Sequence, residues 1–314
     1  MLFRSLGHAL KGKRDGVHIA TKAADSQLGK DWDAADKHIA GQLERLQTDY
    51  IDFYLLHCIM DHNWELFQKF DAVGWLEKQK KAGVIRHYGF SYHGTPDFFQ
   101  KVIKEAPWEL TQIQHNYVDR EHQAGEQGLM AADAAGLGTI IMGPCRGGQL
   151  AEQIHSDMVA RLRAVNTQRS LADWAFSYLM NRPDVDICLS GMYTMEQLQE
   201  NLAIADRVGR QPLTEEEHLA LKEVGDIYRK LMKTPCNGCC YCQPKCKKGV
   251  NISGAMHHYN FAATLEYEGG ARQYAQLRDN VLTCTECGAC STVCPQRIDI
   301  PAKLKEMEKY FSEG

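Results

Sequence analysis

The chain has 314 residues, 44% hydrophobic and 24% charged, with a formal net charge of −4. That balance excludes a largely disordered chain, and the charge gives no footprint for nucleic acid or for an anionic membrane. No apolar run is long enough to span a bilayer, and the first fifteen residues contain no signal-peptide core, so the expectation is a soluble, cytoplasmic protein.

The opening stretch 3–10 reads as a helix. From residue 17 onward, short apolar runs alternate with amphipathic helical patterns. The runs cover 17–22, 51–57, 84–91, 110–116, 139–144 and 185–191. Most are nearly continuous in apolar residues, as strands buried on both faces of a parallel sheet are. Between them, Ala35, Ile39, Leu43 and Leu46 recur at helical spacing, and Thr95-Pro96 places a cap before a first-turn proline. Ser170 with Asp173, Thr194 with Gln197, and Thr214 with Glu217 have the spacing of capping boxes. Pro183 and Gly136 stop helices.

Repeated strand–helix units allow an open doubly wound sheet or a closed (β/α)8 TIM barrel. No G-x-G-x-x-G turn follows the first strand, which counts against a dinucleotide-binding doubly wound fold. Lys22, His57, Ser91, Gln112, Pro144 and Gly191 each fall at or beside the C-terminal end of a run, where a barrel builds its active site. The expected fold class is therefore α/β, a barrel. Six runs are two short of eight, and two further units need about 60 residues. The expectation is a barrel lacking its first two strands, with a start downstream of the natural one or a natural fragment.

On these residues, the stretch from Leu6 to Ala205 resembles the aldo-keto reductases. The matching pieces are Ala20-Thr21-Lys22, Asp52 to His57, Gly89-Phe90-Ser91, Gln112-Ile113-Gln114, Pro144 to Leu150 and Glu200-Asn201. The resemblance implies hydride transfer between a nicotinamide and a small-molecule carbonyl or alcohol. Lys22 and His57 match the family's catalytic lysine and carbonyl-orienting histidine. The proton-donating tyrosine and the aspartate paired with the lysine would lie before residue 1; Tyr92 is a conceivable substitute, though a pocket-lining role suits it better. On the cofactor side, the resemblance implies that Ser91 and Gln112 hold the carboxamide and that the backbone of Arg146, Gly147 and Gly148 approaches the pyrophosphate. Glu200 and Asn201 would contact the adenine side. The chain departs from the family pattern at Tyr92, Met142, Gly191 and Gln197. The last two stand where basic residues often grip a 2′-phosphate, so a preference for NADP over NAD is not implied.

Nine of the twelve cysteines follow residue 235. Such crowding in a cytosolic chain points to metal rather than disulfides. Cys236, Cys239, Cys242 and Cys246 are spaced C-x2-C-x2-C-x3-C, and Cys284, Cys287, Cys290 and Cys294 repeat the spacing, followed by Pro295. This is the bacterial-type [4Fe–4S] run, in which the fourth cysteine serves the other cluster. The expected ligand sets are Cys236, Cys239, Cys242 with Cys294, and Cys284, Cys287, Cys290 with Cys246. A zinc ribbon or disulfides are the alternatives, but zinc has no use for the third and fourth thiols of each run. Lys247 replaces the usual proline, and Cys240 is a spare thiol. Stretch 252–281 reads as helical, resembling helical two-cluster ferredoxins. Lys230, Lys233, Lys245, Lys247 and Lys248 surround the first motif, as a solvated face or a dock for an acidic partner.

A helix over 213–232 joins the two parts, placing the boundary between an aldo-keto-reductase-like domain at 1–233 and a ferredoxin-type domain at 234–314. A nicotinamide gives two electrons at once and each cluster takes one, so a flavoprotein or ferredoxin partner is implied if the two exchange electrons. The leading expectation is an oxidoreductase with two [4Fe–4S] clusters and NAD(P)H; the alternative is an electron-transfer protein with a non-catalytic barrel.

Overall fold

The computed structural model describes residues 2–28, 31–152 and 154–313. Six strands form one sheet in sequence order: β1 (Ala20–Ala23), β2 (Ile51–Ile59), β3 (Ile85–Tyr92), β4 (Leu110–Gln114), β5 (Gly138–Met142) and β6 (Ile187–Cys188). The pairs from β1 to β4 are parallel, in registers such as Lys22 with Leu55, Leu55 with Gly89, and Ser91 with Gln112. Every expected strand is present. β6 is shorter than its apolar run: Leu189 still donates its N–H to the Ile141 carbonyl at 2.9 Å, and from there the run lines a cavity.

The helices begin where their caps require. Thr95 caps Pro96–Val102 by accepting from the Phe98 N–H, and Ser170 caps Leu171–Met180 by accepting from the Asp173 N–H. Thr194 with Gln197 and Thr214 with Glu217 form complete capping boxes on Met195–Val208 and Glu215–Leu231. No helix among the described residues is long and apolar enough to cross a membrane.

Two compact units divide the chain. The first takes the described residues of 1–114, 121–140 and 184–186, and the second those of 115–120, 141–183 and 187–313. The first unit's core is aliphatic and aromatic around β2 and β3, with Tyr54, Trp75, Phe90, Tyr92 and Phe99 fully buried. In the second, Gly225 on Glu215–Leu231 lets that helix close onto the Tyr117 carbonyl, which a Cβ would meet at 2.3 Å.

The cysteine-rich region belongs to the second unit and is helical, as expected: Ile252–Thr264, Tyr267–Val281 and Ile300–Glu313. Their apolar faces, including Met256, Tyr259, Tyr274, Leu304 and Met307, form one core, against which Cys236, Cys242, Cys246, Cys284 and Cys294 pack. Asn260 fastens the entry to this region. Its side-chain oxygen accepts from the Lys233 and Thr234 N–H groups at 3.1 and 3.0 Å, and its amide donates to the Thr234 carbonyl at 2.8 Å.

Candidate active site and iron–sulfur centres

In the first unit, the strand ends carry the expected polar residues. Lys22 is held from behind: Tyr54 donates to the Gln42 amide oxygen at 2.9 Å, and the Gln42 amide donates to the Lys22 carbonyl at 3.1 Å. Burial lowers the Lys22 pKa, easing removal of its charge. Burial, reinforced by the nearby Lys22 charge and opposed by Asp25, brings His57 down to about 4, so its ring is neutral near pH 7. A neutral imidazole can donate one hydrogen bond and accept another. Ser91 is buried, and its hydroxyl oxygen accepts the Cys58 N–H at 2.8 Å, which occupies it with strand geometry. Gln112 is buried on β4.

One residue here escaped the sequence reading. His93, just past β3, is buried, with Nδ1 3.0 Å from the Gln123 side-chain oxygen. Burial takes its pKa to about 4; His57 and Lys22 are among the charges that lower it further, so the three groups share one electrostatic environment. The sequence signal was its place two residues beyond Ser91. Tyr92, the conceivable substitute proton donor, is fully buried, packs on Phe90 and Phe99, and spends its hydroxyl on the Thr95 carbonyl at 2.7 Å. It is a core residue.

In the second unit, a cavity of about 720 Å³ gathers most of the expected cofactor contacts. Met142, Gly147, Gly148, Gly191, Glu200 and Asn201 all line it. Asn201 is oriented by donating to the Ser190 hydroxyl at 2.9 Å, while Glu200 accepts from Ser170 at 2.5 Å. Gln197 also lines the cavity, but its side-chain oxygen is committed to the Tyr193 and Thr194 N–H groups of the capping box. Arg146 differs from the rest. Its backbone stands at φ +50°, and its side chain is wholly buried behind the turn rather than in the cavity. Burial pushes the Cys145 thiol at the wall up to about 12, so it is an uncharged lining group.

The two cysteine motifs share one backbone course, offset by 48 residues. Gly238 and Glu286 both adopt left-handed φ, at +77° and +58°, as do Cys240 and Gly288, at +63° and +73°. Each third cysteine leads into a single 3-10 turn, Gln243–Lys245 and Ser291–Val293, and each fourth cysteine then turns extended. Gly249 and Arg297 complete the match, their N–H groups donating to the carbonyls of Cys246 and Cys294 at 3.1 and 3.0 Å. Cys240 therefore fills a left-handed position where the second motif has glycine; its exposed thiol points to the Gly238 carbonyl at 3.2 Å.

Cys236, Cys239, Cys242 and Cys294, together with the spare Cys240, line one small cavity floored by Ile252, Met256, Ile298 and Ile300. This is the crossed arrangement in which a fourth sulfur comes from the other motif. Burial pushes Cys236 up to about 11 and Cys242 up to about 12, so bare thiolates are costly there. The positive charge of cluster iron would offset that cost, and the residues fit such a group. In the second motif Cys290 belongs to the helical core and Cys284 packs against it, and the Cys246 sulfur accepts the Val250 N–H at 3.4 Å. Among the described residues, no three His, Cys, Asp or Glu side chains are grouped as for one metal ion.

Residues 4–226 match the Aldo/keto reductase family, and residues 235–299 match a 4Fe-4S dicluster domain. The uncharacterized oxidoreductase YqkF of Bacillus subtilis (strain 168) is 28% identical over 256 residues, 71% of this chain and 79% of YqkF. The holo form of aldo-keto reductase AKR11C1 from Bacillus halodurans superposes with a TM-score of 0.58 at 25% identity, covering 71% of this chain and 76% of that one. An aldo/keto reductase from Klebsiella pneumoniae, solved with NADP and acetate, gives a TM-score of 0.57 at 24% identity over 71% and 75% of the two chains. The last likeness is one of fold.

Proposed function

Since the chain belongs to the aldo/keto reductase family and carries a 4Fe-4S dicluster domain, we propose that this oxidoreductase binds NAD(P)H in the 720 Å³ cavity and acts on a small carbonyl or alcohol at Lys22 and His57. The observation that carries the reading is the cavity itself. It gathers five residues expected from the family resemblance to contact the cofactor, within the size range of ligand pockets.

When bound, a nicotinamide supplies a hydride and each cluster supplies or takes one electron. The chain's own residues prepare for this in separate ways. Gly147 and Gly148, both at left-handed φ, offer backbone at the cavity wall. Asn201 and Glu200 offer fixed polar groups for the adenosine end. Neutral His57 orients a substrate oxygen by donating its N–H, and Lys22 places a positive charge beside it. Ser91 and Gln112 belong to the carboxamide side. Cys236, Cys239, Cys242 and Cys294 hold one cluster, and Cys284, Cys287, Cys290 and Cys246 the other. The domain boundary falls between residues 233 and 234. Electrons pass to a flavoprotein or ferredoxin partner, since a two-electron donor and one-electron carriers need an intermediary. The free thiols suit a reducing compartment, the cytoplasm.

Fluorescence titration with NADH and NADPH tests the cofactor reading. Saturable binding is expected, weakened about 10-fold in N201A, as for one hydrogen bond to a charged or buried group. No binding of either nucleotide would favour a second reading, an electron-transfer protein with a non-catalytic barrel. The buried, fully engaged Tyr92 hydroxyl speaks for that reading, because it removes the substitute proton donor on β3.

A further inference from the structure

The turn Cys145–Gln149 has two faces with different neighbours. On one, Cys145, Gly147 and Gly148 line the cavity. On the other, Gly147 lies so close to the first cysteine motif that a Cβ would stand 2.5 Å from the Asn237 carbonyl oxygen. Asn237 directly follows Cys236 and lines the cavity of the first cysteine motif. A single turn is thus the wall of both sites.

Beneath this turn lies the Arg146 guanidinium, in a side chain with no solvent exposure. Its Nε faces both Asp119 carboxylate oxygens at 3.1 and 3.3 Å, and one Nη donates to the Gln149 side-chain oxygen at 2.8 Å. The other Nη lies 2.8 Å from the Met232 sulfur, and the charge sits 5.7 Å over the Tyr228 ring. Water screens a charge in such a place far less than one at the surface, and Asp119 offsets part of it. Met232, which this guanidinium touches, stands four residues before Cys236, and the adjoining Gly147 packs on Asn237, the residue after Cys236. At the second motif the ion pair is Glu286 with Lys305 at 2.6 Å, and both of its side chains are exposed.

We propose that Arg146 is a positioning residue that raises the reduction potential of the cluster held by Cys236, Cys239, Cys242 and Cys294, the one adjoining the cavity, with Asp119 moderating that effect. The proposal rests on the reading that these four cysteines hold a cluster. Reduction adds one electron and makes a cluster more negative, so a nearby buried cation stabilises the reduced form. Two buried charges of opposite sign give the idea a sharp signature. Removing the cation should shift this cluster negative; removing the anion should unmask the cation and shift it positive.

The experiment is a dithionite titration of the anaerobically purified full chain, followed by electron paramagnetic resonance, in wild type, R146Q and D119N. C239S identifies the signal of the adjoining cluster, because it alters one of that cluster's ligands. In R146Q the midpoint of that signal should move negative, in D119N positive, with the other cluster unmoved in both. Shifts of the same sign in both variants, or equal shifts of both clusters, would reduce Arg146 to a packing role and overturn the proposal. So would unchanged potentials in protein with about eight irons per chain, four for each cubane. If R146Q does not fold, the D119N shift decides alone. If C239S changes neither signal, the ligand assignment falls, and the proposal with it.

Discussion

His57 and His93 show what burial does to single residues here. Both titrate near 4 in the fold, chiefly because burial disfavours the charged ring, against an ordinary 6.5. Between those values the unfolded chain binds more protons than the folded one, so stability falls as pH drops from about 6.5 to about 4. H93Q should remove up to about one proton from that slope. Urea unfolding at three pH values in the window would check it, and an unchanged slope would show that His93 keeps its proton. Lys22 and His57 were legible in the sequence because each sits in a short motif at a strand end. The direction of the Arg146 side chain was not, since it goes with a left-handed φ that arginine rarely adopts and with partners, Asp119 and Met232, that lie far off in the chain.

Among the elements, apolar runs and caps carried most of the information. All six strands lie within or beside their runs, because strands buried on both faces leave little room for polar residues. The end of β6 was not legible, since its last apolar residues line a cavity instead of a sheet. Thr214→Ala should cost about 1 kcal/mol, as caps commonly do. It would take from the Glu217 N–H its partner, the Thr214 hydroxyl at 3.2 Å, while the Glu217 carboxylate keeps the residue-214 N–H at 2.9 Å and Arg169 at 2.7 Å. Gly225→Ala should cost more, about 1–3 kcal/mol, because its Cβ meets a backbone carbonyl that cannot swing aside. Thermal melts of the two variants would order them, and a harmless G225A would mean that the helix can slide off Tyr117. The helix Ile300–Glu313 follows the last cysteine motif as Ile252–Thr264 follows the first, with Asp299 and Asn251 in equivalent places. Spacing of the cysteines revealed the repeat, but only the backbone shows that it extends through the caps.

For the whole molecule, the cysteines are structural as well as chemical. Five of them pack on the core formed by the three C-terminal helices, and Cys290 is part of that core. Stripping iron with a chelator should therefore loosen residues 234–313 while the six-stranded sheet persists. Limited proteolysis read by mass would place new cuts in that range; an unchanged cutting pattern would mean that stacked rings such as Tyr274 on Phe311, 4.5 Å apart, suffice without iron.

The Asn260 clasp has a kinetic meaning. Proteins that deliver electrons with a tethered module rely on a slack joint, and their rates slow as the solvent thickens. Here the oxygen and the nitrogen of one side-chain amide grip the backbone at residues 233 and 234, and the helix Ile252–Thr264 supplies the grip. The iron–sulfur region is bolted rather than leashed. One-electron exchange with a docked partner would then meet a region held still at its entry, and cutting the clasp with N260A should add a viscosity-dependent step to it.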